Sequence, residues 1–162
     1  MSLRIGNGYD VHRLAPGRPL FLGGIEVPHT KGAVAHSDGD ALIHALCDAL
    51  LGAAALGDLG THFPDNDAQY KDIDSKILLS RTVALLEAKG YEPINIDVVV
   101  ALQKPKIAPF IPQMRTTLAK ILKITEDALS IKATTTESLG FVGREEGVAV
   151  YAVCLIKQKE VA

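Results

Sequence analysis

The sequence predicts an α+β fold: a two-layer sandwich in which a four-stranded mixed sheet carries helices on one face and packs its other face in an assembly of identical chains. Three observations lead there. Apolar residues recur at the helical spacing of three and four in separate segments, and they alternate at the strand spacing of two in others. The last strand, Val148 to Lys157, is apolar on both parities, with Val148, Val150, Ala152, Cys154 and Ile156 on one face and Ala149, Tyr151, Val153 and Leu155 on the other. Both of its faces therefore need cover, and a chain with three helices has enough for one. With 162 residues and no repeat or linker-like run, residues 1–162 form a single domain.

Taken in order, Arg4 to His12 reads as a strand, and Leu20–Leu22 and Ile25–Val27 as short strands turning at Gly23-Gly24. From Asp38 to Leu56 the pattern becomes helical through Leu42, Ala45, Leu46, Ala49, Leu50 and Ala53. Ser37 suits the N-cap of this helix, Asp40 its capping-box partner and Gly57 its stop. Asp58 to Asp74 is polar, rich in Asp and unpatterned, the character of a functional or moving loop. A second helix spans about Ser75 to Lys89, with Ile77, Leu78, Leu85 and Leu86 on one side and Gly90 as its stop. Ile94 to Gln103 alternates as a half-buried strand through Ile94, Ile96, Val98, Val100 and Leu102. Pro109 and Pro112 open a third helix, Ile111 to Leu122. Leu129 to Thr134 precedes the final strand.

The charge balance, 17 Lys and Arg against 19 Asp and Glu, excludes a global positive field for nucleic acid or an anionic membrane. The longest apolar stretch, Ala49 to Leu56, is far short of the ~20 residues of a membrane helix, and residues 1–4 lead into Gly and Asn without a signal-type core. The expectation is a cytoplasmic protein. Cys47 and Cys154 lie in separate apolar segments and read as core residues.

Three clusters carry chemistry. In Asp10-Val11-His12, strand periodicity points a carboxylate and an imidazole the same way. His44 lies on the first helix with Asp48 one turn later on the same face. Two His and one Asp with a fourth position open suit a catalytic Zn²⁺, and Asp48 could hold the second imidazole nitrogen. D-x-H recurs by chance and a helical His is ordinarily a packing residue, so spacing leaves both readings standing. His36-Ser37-Asp38-Gly39-Asp40 serves as a helix cap, with His36 left over to face an anion at the helix start. Lys132 to Glu137, followed by Leu139 to Arg144, offers a cation, three hydroxyls and Arg144 to phosphate oxygens, and Glu137 to a divalent ion. The same residues also suit a β-branched strand, a turn capped by Thr136 and a surface pair of Arg144. Lys104-Pro105-Lys106 is an anion contact or a solubilising strand exit.

Together, Gly8-Tyr9-Asp10-Val11-His12, His36-Ser37-Asp38-Gly39-Asp40 with His44, Gly57-Asp58-Leu59-Gly60 with Phe63-Pro64-Asp65, Lys132 to Glu137, and Gly143-Arg144 with Gly147 resemble the 2-C-methyl-D-erythritol 2,4-cyclodiphosphate synthases. The likeness runs over essentially the whole chain in the right order. It implies a non-mevalonate isoprenoid enzyme that cyclises 4-diphosphocytidyl-2-C-methyl-D-erythritol 2-phosphate with release of CMP, working as a homotrimer with sites between subunits. It further implies Asp10, His12 and His44 as Zn²⁺ ligands, and Glu137 on a second ion, Mg²⁺ or Mn²⁺. His36 and Thr135 fall around the phosphoryl charge, and Ser37, Asp58, Gly60, Phe63 and Asp65 by the methylerythritol. The cytidine pocket takes Leu102, Lys104, Lys106 and Ala108 with Thr134, Thr135 and Thr136 of an adjoining subunit. Phe141, Arg144 and Glu146 are expected near one end of a central channel, where an isoprenoid diphosphate could bind. Two other readings compete: a metal-dependent phosphohydrolase, and a trimeric small-ligand-binding protein with structural zinc.

Overall fold

The computed structural model describes residues 2–159. Strand β1 (Leu3–Pro16) alternates strictly: Gly6, Gly8, Asp10, His12 and Leu14 point to one face, and Leu3, Ile5, Tyr9 and Val11 to the other. The two glycines decide what can lie on the first face. A Cβ on Gly6 would sit 1.9 Å from the Ala49 carbonyl oxygen, and one on Gly8 1.9 Å from that of Ala45. Helix α1 (Ala41–Ala53) therefore lies directly on β1, closer than any strand with side chains there would allow. Its buried residues occur on every side, Ala41, Leu42, Ile43, Ala45, Leu46, Cys47, Ala49, Leu50 and Leu51 among them, the pattern of a central helix.

The main sheet has five strands in the order β4-β1-β7-β5-β6, where β4 is Lys31–Ala33, β5 Tyr91–Ala101, β6 Leu129–Thr134 and β7 Gly147–Gln158. This corrects the expectation of four. Lys31-Gly32-Ala33 is too short to show a period, yet it pairs antiparallel with Leu14 to Pro16. Only β5 and β6 run parallel, which makes the sheet mixed. Helices α1, α3 (Ser75–Ala88) and α4 (Ile111–Leu122) join the inward residues Ile96, Val98, Val100, Val148, Val150, Ala152, Cys154 and Ile156 in one core. Both cysteines are buried and free, as expected. A separate hairpin of β2 (Leu20–Leu22) and β3 (Ile25–Val27) turns at Gly23 and Gly24, both at positive φ.

The sheet's far face is apolar and largely open: Ile5 is 72% exposed, and Tyr9, Val11, Tyr151 and Val153 are exposed beside it. Ala149 is the exception, buried against Ala101 and Val142 by the helical turn α5 (Gly140–Gly143). Among the described residues no helix is long and apolar enough to cross a membrane.

Four local expectations are corrected. Asp40, not Ser37, caps α1, its carboxylate accepting from Ile43 N at 3.0 Å and from the hairpin amides of Gly23 and Gly24 at 3.0 and 2.7 Å. The helix ends at Ala53, four residues before Gly57. In α3 the buried side is Leu78, Leu79, Thr82, Val83 and Leu86, with Ile77 exposed. Strand β5 carries a register shift between Pro93 and Asn95, so Pro93 is buried and Ile94 is not, while the parity from Ile96 to Val100 stands.

Candidate metal centre and cavity

The close seat of α1 on β1 brings His44 over Asp10 and His12. Asp10 Oδ2 lies 2.7 Å from His12 Nδ1 and 3.5 Å from His44 Nδ1, and the two imidazole rings are 5.1 Å apart between centroids. One ligand atom from each of the three residues fits within a 4.8 Å group. Asp10 Oδ2 and His12 Nδ1 are buried, and despite their approach neither has a properly directed hydrogen bond. Buried lone pairs without donors are costly unless a cation takes them, so the donor set fits a divalent ion of the Zn²⁺ type. Burial opposes the charged form of Asp10, but the two imidazoles beside it outweigh that and hold its carboxyl at about 2. Burial pushes His44 down, and Asp10 more than reverses this, leaving it raised.

The role open to Asp48 in the sequence, holding the second imidazole nitrogen of His44, is not the one it takes. Asp48 does not touch His44; its carboxylate accepts from the amide of Leu59 at 2.7 Å. Leu59 opens the helical turn α2 (Leu59–His62), which Asp58 caps through Thr61 N at 2.8 Å and Thr61 Oγ1 at 2.7 Å. The outer nitrogen of His44 faces two hydroxyls instead, Ser75 Oγ at 3.0 Å and Ser37 Oγ at 3.2 Å. Ser75, buried at the first turn of α3, carried no sequence signal beyond that of a small polar residue opening a helix.

His12 and His44 form the floor of a cavity of about 490 Å³ whose walls include His36, Ser37, Gly60, Phe63 and Asp65. Five residues singled out from separate motifs thus meet in one place, together with Leu59, Asn66, Tyr70 and Ile73, which sequence reading missed. The outer wall is the segment 58–74. It holds α2 and a short 3-10 turn at Ala68–Tyr70, and Phe63 packs edge-on to Tyr70 with centroids 5.7 Å apart. Backbone bonds from Asp72 N to His36 O at 2.7 Å and from Asp38 N to Ile73 O at 3.1 Å close its far end, and His36 Nε2 lies 3.4 Å from the Asp67 carbonyl.

None of the third cluster lines this cavity. Thr134 ends β6, where its carbonyl accepts from Leu102 N at 2.9 Å, and the Leu102 side chain is buried in the core. Thr135 Oγ1 is 3.4 Å from Glu137 Oε1, and Thr136 closes a turn by donating to the Leu139 carbonyl at 2.6 Å. Glu137 and Ser138 both hold positive φ, a strained turn at an exposed tip. Lys104 and Lys106 are exposed, Lys104 pairing with Glu145 at 3.2 Å, and Ala108 opens an exposed 3-10 turn. Lys132 pairs with Asp97 at 2.6 Å. Arg144 forms a two-pronged pair with Glu146, both bonds 3.1 Å, and Phe141 is exposed beside it.

Residues 3–157 match the YgbB family. The chain belongs to that family. The 2-C-methyl-D-erythritol 2,4-cyclodiphosphate synthase of Salinibacter ruber is 59% identical over 155 residues, 96% of this chain and 99% of that protein. Among solved structures, the bifunctional IspDF from Campylobacter jejuni superposes with a TM-score of 0.94 at 44% identity, covering 98% of this chain, which spans 43% of that longer protein. A 2C-methyl-D-erythritol-2,4-cyclodiphosphate synthase in its CDP-bound form superposes with a TM-score of 0.88 at 39% identity, over 95% of this chain and all of that one. The resemblance read from the motifs and the YgbB match thus point to the same proteins.

Proposed function

We propose that this YgbB-family chain cyclises 4-diphosphocytidyl-2-C-methyl-D-erythritol 2-phosphate to the 2,4-cyclodiphosphate with release of CMP. The observation that carries this reading is the half-buried Asp10, His12 and His44 group beside the cavity walled by His36, Ser37, Gly60, Phe63 and Asp65. The substrate's own 2-phosphate oxygen attacks the β-phosphorus; the bond from that phosphorus to the bridging oxygen breaks, and CMP leaves with the electron pair. No protein nucleophile is needed, so the residues position the two phosphates and offset their charge.

Asp10, His12 and His44 would hold a divalent ion, Zn²⁺ in this reading, which supplies Lewis-acid polarisation of a phosphate oxygen. His36 and Ser37 hold donors toward the reacting phosphates, and the wall of Gly60, Phe63 and Asp65, with Asp58 capping the turn behind it, orients the methylerythritol and excludes water. The working unit in this proposal is a trimer packed through the apolar sheet face. A neighbouring chain brings Lys104, Lys106, Ala108 and Thr134 to Thr136 with the backbone at Leu102 to the cytidine, Thr135 to the phosphoryl charge, and Glu137 to a second ion, Mg²⁺ or Mn²⁺. Phe141 and Arg144 then ring the axis, where an isoprenoid diphosphate is the proposed guest.

The reading is tested by stripping divalent ions with a chelator and following CMP by chromatography. CMP release should stop and return on adding Zn²⁺ with Mg²⁺. Release that continues undiminished in the stripped protein would contradict the metal-dependent mechanism.

A further inference from the structure

Ser75 is fully buried, 0% exposed, and its amide and hydroxyl are both committed. Its amide donates to Asp38 Oδ2 at 2.9 Å, and its hydroxyl donates to Asp38 Oδ1. Asp38 Oδ1 also accepts from Asp40 N at 3.1 Å, so three donors converge on the two oxygens, the arrangement of an ionised carboxylate, which can only accept. With its proton given to Asp38, the Ser75 oxygen has lone pairs alone to offer His44 Nε2 at 3.0 Å. That contact is a hydrogen bond only if Nε2 carries the hydrogen. A neutral imidazole has one N–H, which leaves the lone pair on Nδ1, the nitrogen facing Asp10 Oδ2 at 3.5 Å.

We propose that Ser75, oriented by Asp38, is a positioning residue that locks His44 in the Nε2–H tautomer and so presents the Nδ1 lone pair to a divalent ion shared with Asp10 and His12. The ion is that of the metal-dependent reading above; the tautomer is a property of the protein alone. Ser37 does not make the same choice. Its oxygen is 3.2 Å from Nε2 and accepts from Gly39 N at 3.1 Å, but no carboxylate takes its proton, so it can donate to a bare Nε2 as readily as accept from an N–H. The arrangement is the outer-sphere orientation common at histidine metal sites, with a serine and carboxylate in series where a carboxylate alone is often found.

The test uses the metal-free protein in alkaline buffer and reads the imidazole ¹⁵N resonances of His44. Wild type and Ser37→Ala should show a pyrrole-like Nε2 and a pyridine-like Nδ1. Ser75→Ala should move both toward the averaged values of a free tautomer mixture, and Ser75→Thr, which keeps the hydroxyl, should restore the wild-type pattern. Zn²⁺ affinity by chelator competition should fall about 10–100-fold in Ser75→Ala. Unchanged His44 resonances in Ser75→Ala, with Zn²⁺ affinity within about twofold of wild type, would overturn the proposal. If wild type itself binds no Zn²⁺, the metal-dependent reading fails, and the resonances still decide whether Ser75 sets the tautomer.

Discussion

Gly8 lies so close to Ala45 that a Cβ built on it would fall 1.9 Å from the Ala45 carbonyl oxygen. This contact sets the distance between β1 and α1, and with it the distance between the Asp10–His12 pair on the strand and His44 on the helix. Gly8→Ala must push backbone against backbone, so it should destabilise the domain by about 3 kcal/mol and weaken Zn²⁺ binding together. Denaturant unfolding and chelator competition on the same variant check this. A variant as stable as wild type would show that the seat of the helix has slack.

His12→Ala and His44→Ala should each lose stoichiometric Zn²⁺ and nearly all activity while keeping the fold, because the hydrophobic core excludes both residues. Metal analysis and circular dichroism on the purified variants report the two halves separately. One Zn²⁺ per chain retained in both would remove them from the ligand set.

Much of this was legible in the sequence. Helix Ile111–Leu122 and strands Leu20–Leu22, Ile25–Val27 and Leu129–Thr134 follow directly from proline placement, the Gly-Gly turn and alternation. The D-x-H and helical His could be paired because residues two apart on a strand share a face. What stayed hidden depends on chain reversal. Strand β4 has three residues and no period. Asp48 and Asp40 differ from their expected roles because their partners, Leu59 and the Gly23-Gly24 amides, arrive from distant segments. Ser75 meets His44 across 31 positions.

Asp48→Ala should loosen the cavity wall without touching the metal centre, since the Asp48 carboxylate holds the amide that opens α2. The expected result is faster amide exchange at residues 59–62 and a raised KM, with Zn²⁺ content unchanged. Exchange as slow as in wild type would mean that Asp58 alone holds the turn.

Burial pushes the thiols of Cys47 and Cys154 from 9.0 up to about 12. The unfolded chain therefore loses these protons first, so the stability they contribute is full below pH 9 and is lost as the pH rises toward 12. Alkylation by iodoacetamide at neutral pH should be undetectable in the folded protein and complete in denaturant, as read by mass spectrometry. Rapid labelling of either thiol in the folded protein would contradict its burial.

Val153 is 43% exposed on the open sheet face beside Tyr151. If three chains close around that face, the active species should sediment at three times the 17.3 kDa chain, and Val153→Glu should disperse it and abolish activity with the Zn²⁺ ligands intact. Full activity in a sedimenting monomer would refute the shared site.

The cyclisation itself is tested most directly by incubating the protein and divalent ions with 4-diphosphocytidyl-2-C-methyl-D-erythritol 2-phosphate and following the ³¹P resonances. The substrate signals should give way to the two coupled phosphorus resonances of a cyclic diphosphate and one of CMP, in equal amounts. Inorganic phosphate as the product, or a spectrum that does not change, would contradict the proposed reaction.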